Sequence, residues 1–341
     1  MATERKILKK ESLGPLFEKM NAAGKRILAP RKTGEQIRFE PVTSANEIAA
    51  DFVQSTASAK WAVFPAVEEM LSFRSLDKET KLEAKQSKPQ PTVVFGIRPC
   101  DAAAFKALHA VFATDYKDDL FLDRWEQITL IGMSCTKADD YCFCTSVGGN
   151  PGSTVGSDIL LTPLANGDFL AEILTEKGQQ LVASLDGLFA AGGSDIDKES
   201  LLAKVTPKFD AKQMKAKMDA VFNNEKLWTR QSLRCIGCGA CAFVCPSCSC
   251  FDIQDERYGG KGQRLRCWDS CGFGLFTLHT SGHNPRHTQA QRWRQRLMHK
   301  FSYGPEKYEL PGCVGCGRCS RACPTDMNIL GHLLEIAEEK L

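Results

Sequence analysis

Two short runs almost free of polar positions, Thr92-Val-Val-Phe-Gly-Ile97 and Ile128 to Gly132, flank a stretch patterned differently. Between them Phe105, Leu108 and Phe112 recur at helical spacing, with Asp101 placed as the N-cap. The apolar runs read as buried strands, and strand, helix, strand predicts a parallel α/β unit. Ile159 to Leu161, Phe169 to Leu174 and a helix from about Glu176 extend the alternation. Residues 1–205 are therefore expected to form an α/β domain with a mainly parallel sheet. Ahead of the apolar runs, Ser44 and Glu47 make a capping-box pattern for a helix carrying Ile48 and Phe52. Lys78 to Pro91 is polar, charged and closed by two prolines, and reads as a linker or exposed loop.

After Gly192 and Gly193 the pattern changes. Met214, Met218, Val221 and Phe222 fall at helical spacing, as core packing, and lead into a cysteine-rich region. Residues 206–341 are expected to be an α-helical and irregular, two-cluster ferredoxin-like domain with a long insertion at 246–312. Its chemical signal is a repeated run: Cys235-Ile-Gly-Cys238-Gly-Ala-Cys241-Ala-Phe-Val-Cys245-Pro246 and Cys313-Val-Gly-Cys316-Gly-Arg-Cys319-Ser-Arg-Ala-Cys323-Pro324. Each is C-x₂-C-x₂-C-x₃-C-P, the ligand run of bacterial two-cluster ferredoxins, in which the fourth cysteine ligates the other cluster. The expected sets are Cys235, Cys238, Cys241 and Cys323 on one [4Fe–4S] cluster, and Cys313, Cys316, Cys319 and Cys245 on the other. Zinc is the rival, but a structural zinc site uses two separated pairs, with no need of a third regular cysteine or of the proline.

Eight further cysteines extend the chemistry. Cys100 and Cys135 follow the two apolar runs, and Cys142 and Cys144 come shortly after. The C-terminal ends of parallel strands are where α/β proteins bind ligands, so these four are expected to converge on a third centre. In the insertion, Cys248, Cys250, Cys267 and Cys271 are candidates for a fourth centre, zinc or iron–sulfur, or else unligated neighbours of the ferredoxin pair. The Gly148 to Gly156 stretch does not match G-x-G-x-x-G, so no nicotinamide site is expected there.

A helix follows with Trp293, Leu297 and Phe301 on one face and Arg292, Arg294, Arg296 and Lys300 over the rest. The basic residues are expected to form a solvated face for docking an acidic protein partner rather than nucleic acid. His283 and His299 read as structural polar groups. Arg318 and Arg321 lie inside the second run and are expected to favour its reduced state. A closing helix with Leu330, Leu333, Leu334 and Ala337 is expected to pack over the second cluster.

A chain of 341 residues suits about two domains, and a net charge of +3 points to neither nucleic acid nor a polyanionic surface. Sixteen cysteines grouped in tight runs indicate metal in a reducing compartment rather than a disulfide scaffold. The N-terminus has no apolar signal core, and the stretch 101–114 is too short to span a bilayer. The expectation is a cytoplasmic protein without a membrane anchor.

Several segments together resemble one family: Arg98-Pro-Cys-Asp101, Cys142-Phe-Cys-Thr-Ser146, Cys245-Pro-Ser-Cys-Ser-Cys-Phe-Asp252, Trp268-Asp-Ser-Cys271, Gly282-His-Asn-Pro-Arg286 and Arg294-Gln-Arg-Leu-Met-His-Lys-Phe301. It is the 4Fe-4S dicluster family of sulfhydrogenase beta subunits, which also takes in an iron–sulfur component of anaerobic sulfite reductase. Similar proteins accompany flavin oxidoreductases linked to heterodisulfide reductase. The resemblance implies an electron-transfer subunit of an oxidoreductase complex rather than a stand-alone enzyme. Its partners would be a catalytic redox subunit together with an FAD/NAD(P)-binding flavoprotein subunit. Two rivals stand beside it. One is a subunit whose own incompletely ligated cluster acts on a thiol, disulfide or sulfur substrate; the other is a zinc-stapled interaction protein.

Overall fold

The apolar runs become the middle strands of a mixed sheet. A computed structural model of the chain describes residues 4–49, 51–76, 79–85 and 89–339. Among these lie twelve strands: β1 (Glu4–Leu8), β2 (Arg26–Thr33), β3 (Gln36–Pro41), β4 (Val67–Leu76), β5 (Glu79–Ala84), β6 (Thr92–Ile97), β7 (Ile128–Met133), β8 (Ile159–Pro163), β9 (Phe169–Ile173), β10 (Phe189–Ala191), β11 (Phe251–Tyr258) and β12 (Lys261–Trp268). Eight form one sheet in the order β10-β1-β9-β8-β7-β6-β2-β3. Every residue of β6 is buried, as its unbroken apolar run requires.

The sheet is not mainly parallel. Only β2/β6, β6/β7 and β7/β8 pair parallel, and the other four pairings are antiparallel. The connections explain this, because a parallel crossover needs a dozen or more residues. Strands β2 and β3 are joined by Gly34-Glu35 alone, with Gly34 at φ 60°, and β8 and β9 by a tight turn with Gly167 at φ 89°. Both are hairpins. Two helix expectations also change. The helix after β6 runs Pro99–Ala113 with Arg98 at its N-cap, since proline suits the first helical turn, and Asp101 lies wholly buried inside it. The capping box at Ser44 and Glu47 forms, but it closes only a three-residue turn, Ala45–Glu47, before Ile48 turns extended.

A second, antiparallel sheet runs β11-β12-β4-β5. The supposed linker after Lys78 thus supplies edge strand β5, exposed at every residue, while residues 77–78 and 86–88 lie outside the described residues. Hairpin β11–β12 belongs to the insertion, and its pairing with β4 stitches the cysteine-rich half to the N-terminal half. Arg266 of β12 is 1% exposed, ion-paired to Glu68 and Asp118, with its guanidinium 5.2 Å from the Phe64 ring centre.

The helices Ala211–Ala220, Glu225–Ser232, Gln289–Met298 and Ile329–Glu338 share a separate core that includes Met214, Met218, Trp228, Trp293, Leu297 and Leu333. The third runs on into a π-turn, His299–Tyr303. No helix among the described residues is long and apolar enough to cross a membrane.

Candidate metal centres

The two cysteine runs fold alike. Gly237 and Gly239 take φ 67° and 74°, and Gly315 and Gly317 take φ 64° and 68°. Side chains are disfavoured in that left-handed backbone, which is why each run spaces its thiols with glycine. The second glycine of each pair starts a one-turn helix, Ala240–Phe243 or Arg318–Arg321.

Cys235, Cys238, Cys241 and Cys323 line one pocket, together with Trp293, Met327 and Ile329. The Gln289 amide nitrogen donates to Cys235 Sγ at 3.0 Å and the Met327 N–H to Cys323 Sγ at 3.2 Å, the kind of bond that stabilises a ligating sulfur. Ile329, which opens the closing helix, therefore borders the first set of thiols, not the second as expected from sequence. Cys245 joins the second run, where the charges of Cys245, Cys313, Cys316 and Cys319 act on one another. Burial pushes the thiols of Cys313, Cys316 and Cys319 up to about 11, 12 and 11. Without metal they are neutral thiols in an apolar interior. Ligation must remove their protons, and the cationic iron then compensates the charge. The donor set fits a thiolate-held cluster.

The third group also converges. Cys100 opens the helix after β6 and Cys135 lies just beyond β7. Burial raises Cys144 to about 12, with Cys135 and Cys142 adding to the shift, and raises Cys135 to about 11. Cys100 packs against Val314 and Cys316, so this group abuts the second run. The Tyr141–Cys144 loop is pressed onto that run: the Phe143 N–H donates to Gly315 O at 2.9 Å, and Arg321 holds Asp139 at 2.5 Å. A Cβ at Gly315 would sit 2.5 Å from Cys144 N. Gly315→Ala should therefore destabilise the loaded protein by roughly 2–3 kcal/mol, from positive φ plus the collision. Gly14→Ala, in a helix with nothing within 4 Å, should be neutral or slightly stabilising. Thermal loss of cluster absorbance under anaerobic conditions compares the two variants.

The first run is covered in a matching way. Gly272 O would lie 3.2 Å from a Cβ at Gly237, and the Phe273 ring 2.5 Å from one at Gly239. This loop brings in Cys271, whose thiol hydrogen-bonds that of Cys250, and both line a pocket with Cys248. Cys267 does not join them. Strand alternation turns Trp268 toward Phe64, 5.8 Å between rings, and leaves Cys267 on the opposite face near Asp252 and Glu256. The thiols stand around shared spaces rather than closing on a point. Among the described residues no three Cys, His, Asp or Glu side chains are set to grip a single metal ion.

The basic helix departs most from expectation. Arg296 and Lys300 are 4% and 6% exposed and point into the cysteines, not out toward a partner. Lys300 Nζ donates to Cys245 Sγ at 3.3 Å, Ser247 Oγ at 3.2 Å and Gly312 O at 3.0 Å. Arg296 reaches Cys248 Sγ at 3.5 Å and Cys241 O at 2.8 Å. Burial opposes both charges, yet the surrounding thiolates outweigh it and hold each cation protonated beyond its usual range. The sequence did carry the signal: Trp293, Arg296, Leu297 and Lys300 follow at i, i+3, i+4 and i+7, one helical face. Arg318 is likewise buried, ion-paired with Asp101 rather than free to tune a cluster. His299 is exposed at the rim of the Cys248 pocket.

Residues 234–327 match the 4Fe-4S dicluster domain. The chain is 28% identical over 344 residues to sulfhydrogenase 2 subunit beta of Pyrococcus furiosus, covering 97% of this chain and 98% of that protein. No solved structure matches the chain. With two folded copies of the ligand run and a dicluster domain across them, this is an iron–sulfur electron-transfer protein carrying two [4Fe–4S] clusters, and it belongs to the 4Fe-4S dicluster family that includes sulfhydrogenase beta subunits.

Proposed function

We propose that this chain is the electron relay of a cytoplasmic multi-subunit oxidoreductase. It would pass single electrons between a catalytic redox subunit, of hydrogenase, sulfite reductase or heterodisulfide reductase type, and an FAD/NAD(P)-binding flavoprotein subunit. The observation that carries this reading is the unbroken succession of thiol groups. The Cys100, Cys135, Cys142 and Cys144 group abuts Cys316 of the second run. Cys245 and Cys319 lie within reach of Cys241 of the first. Cys271 lies beside Cys241 in turn. Cysteine-held clusters exchange one electron with little rearrangement, and hydrogen bonds and burial set their potentials.

In this reading the ferredoxin ligands are Cys235, Cys238, Cys241 and Cys323, then Cys313, Cys316, Cys319 and Cys245, with a third cluster at Cys100, Cys135, Cys142 and Cys144. The chain holds the clusters in a dry interior and keeps Lys300 and Arg296 beside them as fixed countercharges. At the first run Cys238 is exposed, ringed by Leu233 at 76% exposure, Ile236 at 66% and Leu275 at 76%. Such an apolar rim suits a partner protein that covers it.

Anaerobic purification with iron, sulfide and zinc analysis tests the proposal. More than about eight irons per chain are expected, about twelve with the third cluster loaded. Cys323→Ala should remove the paramagnetic signal of the first-run cluster and leave the second readable. A colourless preparation holding zinc would overturn the reading.

A further inference from the structure

Cys248, Cys250 and Cys271 form a group of three thiols where the sequence predicts four, and they line a pocket rather than a closed core. Strand phase removes Cys267. The Cys245 thiol, which touches Cys248, belongs by its run to the second ferredoxin set. Ser247, also on the pocket wall, has its hydroxyl committed to Gly312 O at 2.9 Å and Lys300 at 3.2 Å. Two buried cations face the same space. Arg296 uses its two terminal nitrogens on Cys248 Sγ and Cys241 O, while its Nε is buried with no hydrogen-bond partner at all. A buried guanidinium donor left unpaired is costly, and an anion in the pocket would relieve it. Ala107, Val111 and Leu310 make the remaining wall apolar, which disfavours a large hydrated ion.

We infer that Cys248, Cys250 and Cys271 hold an iron–sulfur centre with one iron open to this pocket, and that the open iron takes a small soft anion of the hydrosulfide type. The inference rests on the iron–sulfur reading of the chain. Iron held by thiolates favours sulfur donors, and Arg296 and Lys300 supply the positive field that admits an anion. The pocket's exposed rim at His299 gives a way in from solvent.

Sodium hydrosulfide added to the dithionite-reduced, anaerobically purified full chain tests this by paramagnetic resonance. One signal should change saturably, and the change should vanish in Cys250→Ala with a loss of about four irons. Arg296→Gln should weaken hydrosulfide binding roughly tenfold. Cys267→Ala should keep both the iron and the response. The inference is overturned if no signal responds to hydrosulfide, if Cys250→Ala still responds, or if Cys267→Ala loses about four irons, which would make the centre four-coordinate in protein thiols. Ferredoxin-pair signals persisting in Cys250→Ala keep the electron-relay reading separate, since their absence would count against that reading instead.

Discussion

Lys300→Met should move the midpoint potential of the cluster proposed at Cys245, Cys313, Cys316 and Cys319 to a more negative value by on the order of 100 mV. The ammonium spends its three donors on Cys245 Sγ, Ser247 Oγ and Gly312 O, and it is 6% exposed. Reduction adds one negative charge a few ångströms away. With an effective dielectric constant of about 20 and a separation of about 6 Å, that attraction is roughly 3 kcal/mol. For one electron, 59 mV corresponds to a tenfold change in equilibrium, or about 1.4 kcal/mol, so the shift is about 120 mV. Methionine keeps much of the side chain's length and bulk, so packing changes little. Lys300→Arg keeps the charge and should shift the potential far less. Because the group is buried, the effect should survive a change from low to high ionic strength. A redox titration followed by paramagnetic resonance measures it, and a midpoint within experimental error of the unsubstituted protein would sink the assignment of Lys300 as a fixed countercharge.

What the sequence revealed, and what it hid, divides along physical lines. The ferredoxin runs were legible because ligand spacing and left-handed glycines are local: Cys235 to Cys245 and Cys313 to Cys323 carry their geometry within eleven residues each. The turns were legible too but were missed. Gly34-Glu35 between β2 and β3 announces a hairpin, and Gly259-Gly260 announces the one joining β11 to β12. Had that second hairpin been read, its period of two would have set Cys267 and Trp268 on opposite faces. Other features were not local at all. Nothing in residues 261–268 shows that they pair with Val67–Leu76, because the partner strand is far off in the chain. Charge misled for the opposite reason. Arg296 and Lys300 sit on the apolar stripe of their helix, and a buried cation is acceptable only where anionic partners wait, which thiolates from other segments supply.

Arg318→Met should destabilise the cluster-loaded chain by about 3–5 kcal/mol, the usual cost of breaking a buried ion pair from one side. Both side chains are sealed, Arg318 at 1% and Asp101 at 0% exposure, with the guanidinium forked onto the carboxylate. The same guanidinium donates to Ser55 O at 2.9 Å, Ser55 Oγ at 2.8 Å and Gln54 Oε1 at 2.6 Å. It therefore bolts the second cysteine run to two separate segments of the N-terminal half. Removing it strands a buried carboxylate, whereas the paired change Asp101→Leu with Arg318→Met removes both charges and should recover much of the loss. Anaerobic urea unfolding, followed by visible absorbance, compares the three proteins. In whatever fraction of Arg318→Met stays folded, the potential argument takes a different form from Lys300. Arg318 and Asp101 act in opposite directions on Cys316, so the intact pair already presents the cluster with little net field. The double variant should thus sit close to the unsubstituted midpoint while differing in stability. A large potential shift in the double variant would show that the pair tunes the cluster after all, and an unchanged urea midpoint in Arg318→Met would show that it fastens nothing.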